Sequence, residues 1–590
     1  MKKQPVMAID PPPPPKERDL RPFRRMMFFQ AVLVGFALLI LGQLVRWQIV
    51  ERNTLIKGLQ TRQGYSEEIP SQRGLILDRN QYLLAMNNYD YAIEAAPCMI
   101  PEDETEEIAL KLGSILNRPH EEIFDKLEGD GLYAQVERRV PREVGKAIIE
   151  LEIPGIFVVP LAVRVYPEHE LAAHTLGFVA GDVDQGTKGY YGVEGFYDKV
   201  LKGKSGLRGG RWDPWEEPVS FADLRAQGWT LPQEGRTLVL TIDRTIQYLI
   251  ERELRDAVER YGAEGGCIVV IDPQTGALLA SASYPTYDPN RFAGTDEDLF
   301  VDLVIGKHYE PGSTFKVITM AAALDTGVIH PTDVYNDLGY IEVGGRTLKN
   351  WDERSYGMVT MTDVLVHSLN TGAAYVSTLL GPDRFYNYVN RFGFEHRTGV
   401  DMEGEVSGTM RRQGDPEWHE SDLGTNAFGQ GLAVTPLQMV VAVSAVANRG
   451  FLVRPYVVEQ LIKGDQAAMA KQLTVRQVIR EKTARTLTEM MVEVVDRGAT
   501  LAQVEGYRIA GKTGTAQTPV VGGYDPNLTI ASFIGFAPVD DPQFVALVRL
   551  DRPTTAPWGS ATAAPTFANV ARILFTQLSI PPDGARMAAR

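Results

Sequence analysis

The sequence predicts an α+β protein with a single N-terminal transmembrane helix, a middle region of mixed strands and helices, and a C-terminal domain whose antiparallel sheet is flanked by helices. Three observations predict it. Residues 28–45 (FFQAVLVGFALLILGQLV) carry no charge. Strand–turn–strand patterns stand at both ends of the C-terminal half, with helical stretches between them. The region between mixes short strands with short helices. Strands from the two ends of one domain meet by pairing, so the helices between them cover the resulting sheet.

The apolar run as a helix extends about 27 Å, near one hydrocarbon thickness. Arg46 and Trp47 follow it and suit a membrane interface. Lys2, Lys3, Lys16, Arg18, Arg21, Arg24 and Arg25 precede it, which places residues 1–25 in the cytoplasm and the bulk of the chain outside. The following WQIVERN has no small-x-small cleavage site, so residues 26–49 are expected to be an uncleaved anchor rather than a signal peptide. Residues 11–15 are all proline, a stiff polyproline stretch in the tail.

Residues 50–235 form the expected non-catalytic region between anchor and catalytic domain. Strand-like runs lie at 75–77 and 156–159, helical runs at 104–116 and 142–150. His169-Glu170 with His174 superficially suggests zinc. Five residues turn a helix by roughly 140°, so the two imidazoles do not share a face and no metal is expected. Cys98 and Cys267 give neither metal-ligand spacing nor a disulfide framework, and Cys267 opens an apolar run as a small core residue. Residues 209–229 hold Trp212, Trp215 and Trp229 among acids and prolines: a packed surface loop, or an interaction patch. No cofactor is expected. The net charge of −15 argues against nucleic acid as the main partner. At 590 residues, 44% hydrophobic and 23% charged, the chain suits two or more globular domains.

Residues 236–578 form the expected catalytic domain, with a tail at 579–590. A strand at 238–243 leads into an amphipathic helix at 244–261. Strands at 268–272 and 277–282 flank the turn Pro273-Gln274-Thr275-Gly276. Strands at 530–536 and 544–550 flank Asp540-Asp541-Pro542, and a helix at 566–578 closes the domain.

Three motifs in this domain carry chemistry. Ser313-Thr314-Phe315-Lys316 reads S-x-x-K, Ser368-Leu369-Asn370 reads S-x-N, and Lys512-Thr513-Gly514-Thr515 reads K-T-G-T. They supply a nucleophile, two lysines and a second serine, which suffice for acyl transfer without a histidine base. Positions i and i+3 of a helix are about 4.5 Å apart along its axis, so Ser313 and Lys316 can meet. Pro311-Gly312 is a turn signal, 314–324 a helical stretch, and Asp325-Thr326-Gly327 its end, which puts Ser313 at a helix N-terminus. An ammonium is no base. Lys316 must therefore be neutral, and burial together with the second charge of Lys512 would lower its pKa. The S-x-N motif falls in a helical region at 361–380, and Lys512 in a strand at 507–517. S-x-x-K alone arises about once or twice by chance in such a chain; the three in order do not.

The chain resembles class B penicillin-binding proteins, peptidoglycan D,D-transpeptidases, from about residue 26 to about 575. Further motifs carry the resemblance. Arg73-Gly74-Leu75-Ile76-Leu77-Asp78-Arg79-Asn80 is similar to the family's first non-catalytic motif, with Gln81 where many relatives have glycine. Arg164-Val165-Tyr166-Pro167 with Ala173-His174 and Gly177 matches the second, and Gly189-Tyr190-Tyr191-Gly192-Val193-Glu194 the third. Tyr309-Glu310-Pro311-Gly312 and Phe428-Gly429-Gln430-Gly431 also fit. The resemblance implies an elongated pedestal over residues 50–235 and a penicillin-binding transpeptidase domain with a five-stranded sheet and the Lys512 segment on its edge. It implies Ser313 as nucleophile, Lys316 as base, Ser368 and Lys512 as proton relay, and Asn370, Thr513, Gly514 and Thr515 as substrate-binding residues. It implies stem peptides as substrates, β-lactams as covalent inhibitors and a site in the periplasm on the inner membrane. The arginine and acid motifs of the pedestal are expected to be buried structural pairs. The wording of Ala282-Ser283-Tyr284-Pro285, among other motifs, is most like penicillin-binding protein 2 of cell elongation, which implies the SEDS-family glycosyltransferase RodA as partner. A division role, a carboxypeptidase side activity, a β-lactamase and a polymerase scaffold are the alternatives.

Overall fold

The computed structural model describes residues 21–46, 64–69, 71–182, 186–211, 230–469, 474–520 and 523–589. Trp212, Trp215, Trp229 and residues 11–15 lie outside these, and with them the readings of the tryptophan loop and the proline run. The chain forms two units. One comprises residues 1–70 and 205–232, the other 71–204 and 233–590.

In the first unit, helix α1 (Arg21–Val45) contains Met26–Gln43, 18 residues of mean hydropathy 2.0. By length and composition it is able to cross a membrane. The strand Gly64–Ile69 pairs antiparallel with Gly206–Arg211.

The second unit holds two large sheets. One has seven strands and joins pedestal to catalytic segments. Thr237–Leu240 lies at its middle, parallel to Ile76–Leu77 and antiparallel to Val458–Lys463. The strand expected at 238–243 thus ends early and belongs to this sheet. The reason is local: Asp243 is the N-cap of the next helix, its carboxylate accepting from the Thr245 and Ile246 N–H groups. On the pedestal side the sheet continues through Leu83–Ala95, which pairs with Ala134–Val140 and Ile156–Val165. Thr105–Leu116 and Arg142–Ile149 are helical as expected, contributing Ile108, Leu112 and Ile148 to a local core.

The second sheet is the catalytic one. Its strands are β1 (Gly265–Ile271), β2 (Leu278–Tyr284), β3 (Ala510–Val520), β4 (Gly523–Ala537) and β5 (Phe544–Asp551). Their order is β2-β1-β5-β4-β3, antiparallel throughout, so the K-T-G-T segment is an edge strand. Both faces are covered. Val270, Ala546 and Val548 pack on one side with α2 (Arg244–Tyr261) and a C-terminal helix, Ala563–Gln577. Val269, Val545 and Leu547 pack on the other with α3 (Lys316–Thr326) and the wholly buried helix Pro436–Ala447. A sheet buried twice explains why β1 and the first five residues of β5, Phe544 to Val548, read as apolar runs. Cys267 is fully buried on β1, as expected.

The pedestal motifs form a buried ion network. Glu194 accepts from Arg73 Nε and Arg164 Nε, each at 2.7 Å, and Arg73 Nη1 reaches Asp198 at 2.7 Å. Glu194 is wholly buried and Arg164 nearly so. Removing one member of such a network strands the others' charge. Glu194→Ala is expected to lose about 3–5 kcal/mol of unfolding free energy, measured by urea denaturation. The two histidines go separate ways: His169 Nδ1 meets Asp288 Oδ2 at 3.0 Å, and the buried His174 ring meets the Leu299 carbonyl at 2.9 Å. Gln81 has φ of 67°, left-handed backbone that glycine adopts without a Cβ clash. Gln81→Gly is expected to raise stability by up to about 1 kcal/mol, read as a higher melting temperature.

Candidate active site

Ser313 lies in a 3₁₀ turn, Gly312–Phe315, that runs directly into α3. The turn is set by two glycines. Gly312 has φ of 55° and donates its N–H to the Gly429 carbonyl at 3.1 Å. Gly429 has φ of 81°, and a Cβ there would stand 2.2 Å from the Gly312 oxygen. The Phe428-Gly429-Gln430-Gly431 motif therefore supports the backbone under the serine.

The S-x-N motif does not lie within one helix, contrary to expectation. Met361–Val366 ends at His367, Ser368 adopts φ of 57°, and α4 (Asn370–Leu380) begins after an extended Leu369. On a continuous helix, residues two apart point to nearly opposite sides. The break turns Ser368 and Asn370 toward the same amine. A left-handed non-glycine residue costs on the order of 1–3 kcal/mol, and here the strain sits at the chemistry.

Lys512 is on β3 opposite Ile534 of β4. Two residues on, Gly514 allows close packing: a Cβ would stand 2.4 Å from Ser532 Oγ and 2.9 Å from Thr314 Cγ2. The strand and the Ser313 turn thus lie against each other.

These three segments converge. Lys316 Nζ is 2.5 Å from the Ser368 carbonyl, 2.8 Å from Asn370 Oδ1 and 3.3 Å from Ser368 Oγ. Lys512 Nζ is 2.9 Å from Ser368 Oγ, and also donates to Thr513 O at 3.0 Å and Thr513 Oγ1 at 3.2 Å. Both lysines are fully buried. Burial, then the nearby Lys512 charge, holds Lys316 well below the usual lysine range. Burial lowers Lys512 to about 7. Above the lysines opens a cleft of about 650 Å³ lined by Ser313, Ser368, Asn370, Thr513 and Thr515. Thr515 Oγ1 accepts from the Gly559 N–H at 3.0 Å. One expected contact is not formed: Lys316 bonds the S-x-N segment rather than Ser313 Oγ. Such catalytic hydrogen bonds commonly tighten only once substrate is seated.

Sequence reasoning missed other parts of the cleft. Trp351 and Trp558 line it, ring centroids 5.0 Å apart. Lys349 and Arg497 also line it, Arg497 from a π-helical turn, Val494–Gly498, that no hydrophobic period signals.

Comparison with known proteins gives the family. Residues 266–572 match the penicillin binding protein transpeptidase domain, and residues 68–240 the penicillin-binding protein dimerisation domain. The chain is 34% identical to stage V sporulation protein D of Bacillus subtilis, covering 88% of this chain and 81% of that protein. It is 30% identical to peptidoglycan D,D-transpeptidase FtsI of Escherichia coli, covering 94% and 92%. The crystal structure of penicillin binding protein 3 from Mycobacterium tuberculosis complexed with aztreonam superposes with a TM-score of 0.68 at 28% identity, covering 88% of this chain and 98% of that one. With its dimerisation domain preceding its transpeptidase domain, the chain belongs to the class B penicillin-binding protein transpeptidases.

Proposed function

We propose that this chain is a peptidoglycan D,D-transpeptidase that crosslinks stem peptides through an ester on Ser313. One observation carries the reading: two buried lysines of lowered pKa converge on the Ser368 hydroxyl beneath a cleft that Ser313 lines. Ser313 Oγ attacks the carbonyl of the penultimate D-alanine while neutral Lys316 takes its proton. The C–N bond breaks, and Ser368, supplied by Lys512, protonates the leaving terminal D-alanine. An amine of a second stem peptide then attacks the ester, forms the crosslink and frees Ser313. Asn370 binds the donor's amide, and Lys512, Thr513 and Thr515 hold its terminal carboxylate, with Gly514 leaving room for the backbone. The backbone N–H groups of Ser313 and Thr515 receive the oxyanion; loss of one such donor raises a barrier by about 3 kcal/mol. β-Lactams, which imitate the donor's end, acylate the same serine.

The test is a reaction with a pentapeptide donor and an amine acceptor. Released D-alanine matched by crosslinked dimer is the expected result. Release matched by free tetrapeptide instead makes the chain a carboxypeptidase, and no Ser313 ester on mass spectrometry refutes the mechanism. Helix α1, preceded by basic residues, supports a single-pass anchor with the catalytic domain in the periplasm.

The cellular role is read from motif wording as elongation with RodA as partner. The relatives named above, FtsI and stage V sporulation protein D, do not carry an elongation name. Depletion separates the roles: rounded cells support elongation, filaments support division. Copurification from detergent identifies the polymerase partner. If Ser313→Ala protein still stimulates glycan polymerisation, the chain acts also as a scaffold.

A further inference from the structure

Behind the S-x-N motif lies a carboxylate that no motif announces. Asp337 is fully buried and ends the short strand Val334–Asp337 of a hairpin insertion. It accepts four hydrogen bonds, all from neutral donors: Thr371 Oγ1 at 2.7 Å, Asn350 Nδ2 at 2.9 Å, Tyr356 N at 2.9 Å and Gly339 N at 3.2 Å. No cation pairs with it among the described residues. A buried, unpaired carboxylate is costly unless each lone pair is met, and here the charge is met by donors alone. Asn350 Oδ1 also accepts from Thr371 N at 3.3 Å and lies 3.0 Å from Thr371 Oγ1, whose one proton goes to the nearer Asp337. Asp337 thereby locks the hairpin to the first turn of α4.

That lock reaches the reacting groups in two bonds. The backbone carbonyl of Lys349, next to Asn350, accepts from Asn370 Nδ2 at 3.2 Å. With its amide nitrogen so held, Asn370 presents Oδ1 to Lys316 Nζ at 2.8 Å. We infer that Asp337 is a positioning residue for acylation, acting through Asn350, Lys349 and Thr371 to fix the Asn370 amide and through it the Lys316 amine. This rests on Ser313 and Lys316 being nucleophile and base. An unlocked hairpin lets the Asn370 amide turn, and Lys316 loses both its aim and an acceptor for its ammonium form.

The test is stopped-flow acylation of the full chain by fluorescent penicillin as a function of pH, with the melting temperature measured in parallel. Asp337→Asn is expected to lower the acylation rate constant roughly 10- to 100-fold, since small misplacements of reacting groups cost that much, with a smaller weakening of the dissociation constant, because Asn370 is one of several ligand contacts. Loss of the Asn370 acceptor favours neutral lysine, so the acid limb of the rate profile moves to lower pH. Thr371→Val removes a single donor without touching a charge, and is expected to shift the same limb the same way with a smaller rate loss; it decides the matter if Asp337→Asn does not fold. A lower melting temperature with unchanged rate constant and unchanged limb overturns the inference. Wild-type chain that takes no label refutes the acyl-enzyme reading itself, which is a different result from labelled wild type beside an unaffected variant.

Discussion

Ser313→Ala is expected to take up no fluorescent penicillin at any time or concentration at which the wild type labels to one per chain. The change removes one oxygen from a partly exposed turn. The Lys316, Ser368, Asn370 and Lys512 bonds do not include that oxygen, so the fold and the lysine arrangement survive it. Stability should move by no more than about 0.5 kcal/mol. That separation makes the result informative, because a folded, unlabelled variant has lost the nucleophile and nothing else. The structure names the rival. Ser368 Oγ lies within 3.3 Å of both amines and is the better-activated hydroxyl by distance alone. Ser368 is, however, pinned between two donors, while Ser313 lines the cleft from a 3₁₀ turn that opens a helix. Persistent covalent label, located by peptide mass spectrometry on Ser368, would reverse the two roles.

What could be read from the sequence followed physical periodicity. β1, β5 and α2 announce themselves through apolar runs and a clean amphipathic stripe, and α2 has the expected bounds. The three motifs were legible because their chemistry needs particular side chains in order. The Ser368 break was not: a single left-handed residue leaves the surrounding apolar pattern helical, and the pattern from 361 to 380 has no glycine or proline at the break. Leu83–Ala95 was missed because its centre, Asn87-Asn88-Tyr89-Asp90, interrupts alternation where the strand meets charged and polar neighbours. Ile76–Leu77 and Thr237–Leu240 are far apart in sequence, so their pairing across the expected boundary near residue 235 has no local signature. Trp351 and Trp558 were unreadable for the same reason, each being an ordinary tryptophan until the fold brings the two rings together.

Acylation by a carboxylate-bearing β-lactam is expected to follow a bell in pH, and each lysine sets one side. Lys316 acts neutral, and its pKa lies well below the usual lysine value because it is buried beside Lys512. The rate therefore falls as pH drops through that lowered pKa and the amine protonates. Lys316→Ala removes the base altogether and is expected to cost about 10²–10⁴ in the acylation rate constant, with the acid limb gone. Lys512 contributes the other side by holding the ligand's carboxylate as a cation. Its pKa is about 7 in the free enzyme, so affinity weakens as pH rises above that value. In Lys512→Arg the guanidinium stays charged, and the loss of affinity above about 7 should disappear even if the plateau rate falls. Folding stability supplies an independent reading with the opposite sense. Lys512 has a lower pKa folded, about 7, than the ordinary lysine value of 10.5 that describes the unfolded chain. Between these values the unfolded chain binds the extra proton, so the penalty for burying Lys512 is full below about 7 and is relieved as pH rises toward 10.5. Urea unfolding of the wild type should show stability gained across that window relative to Lys512→Met, which has no such proton to lose. A flat difference between the two proteins, with acylation also flat above pH 7, would mean that Lys512 is charged throughout and that burial does not set its proton.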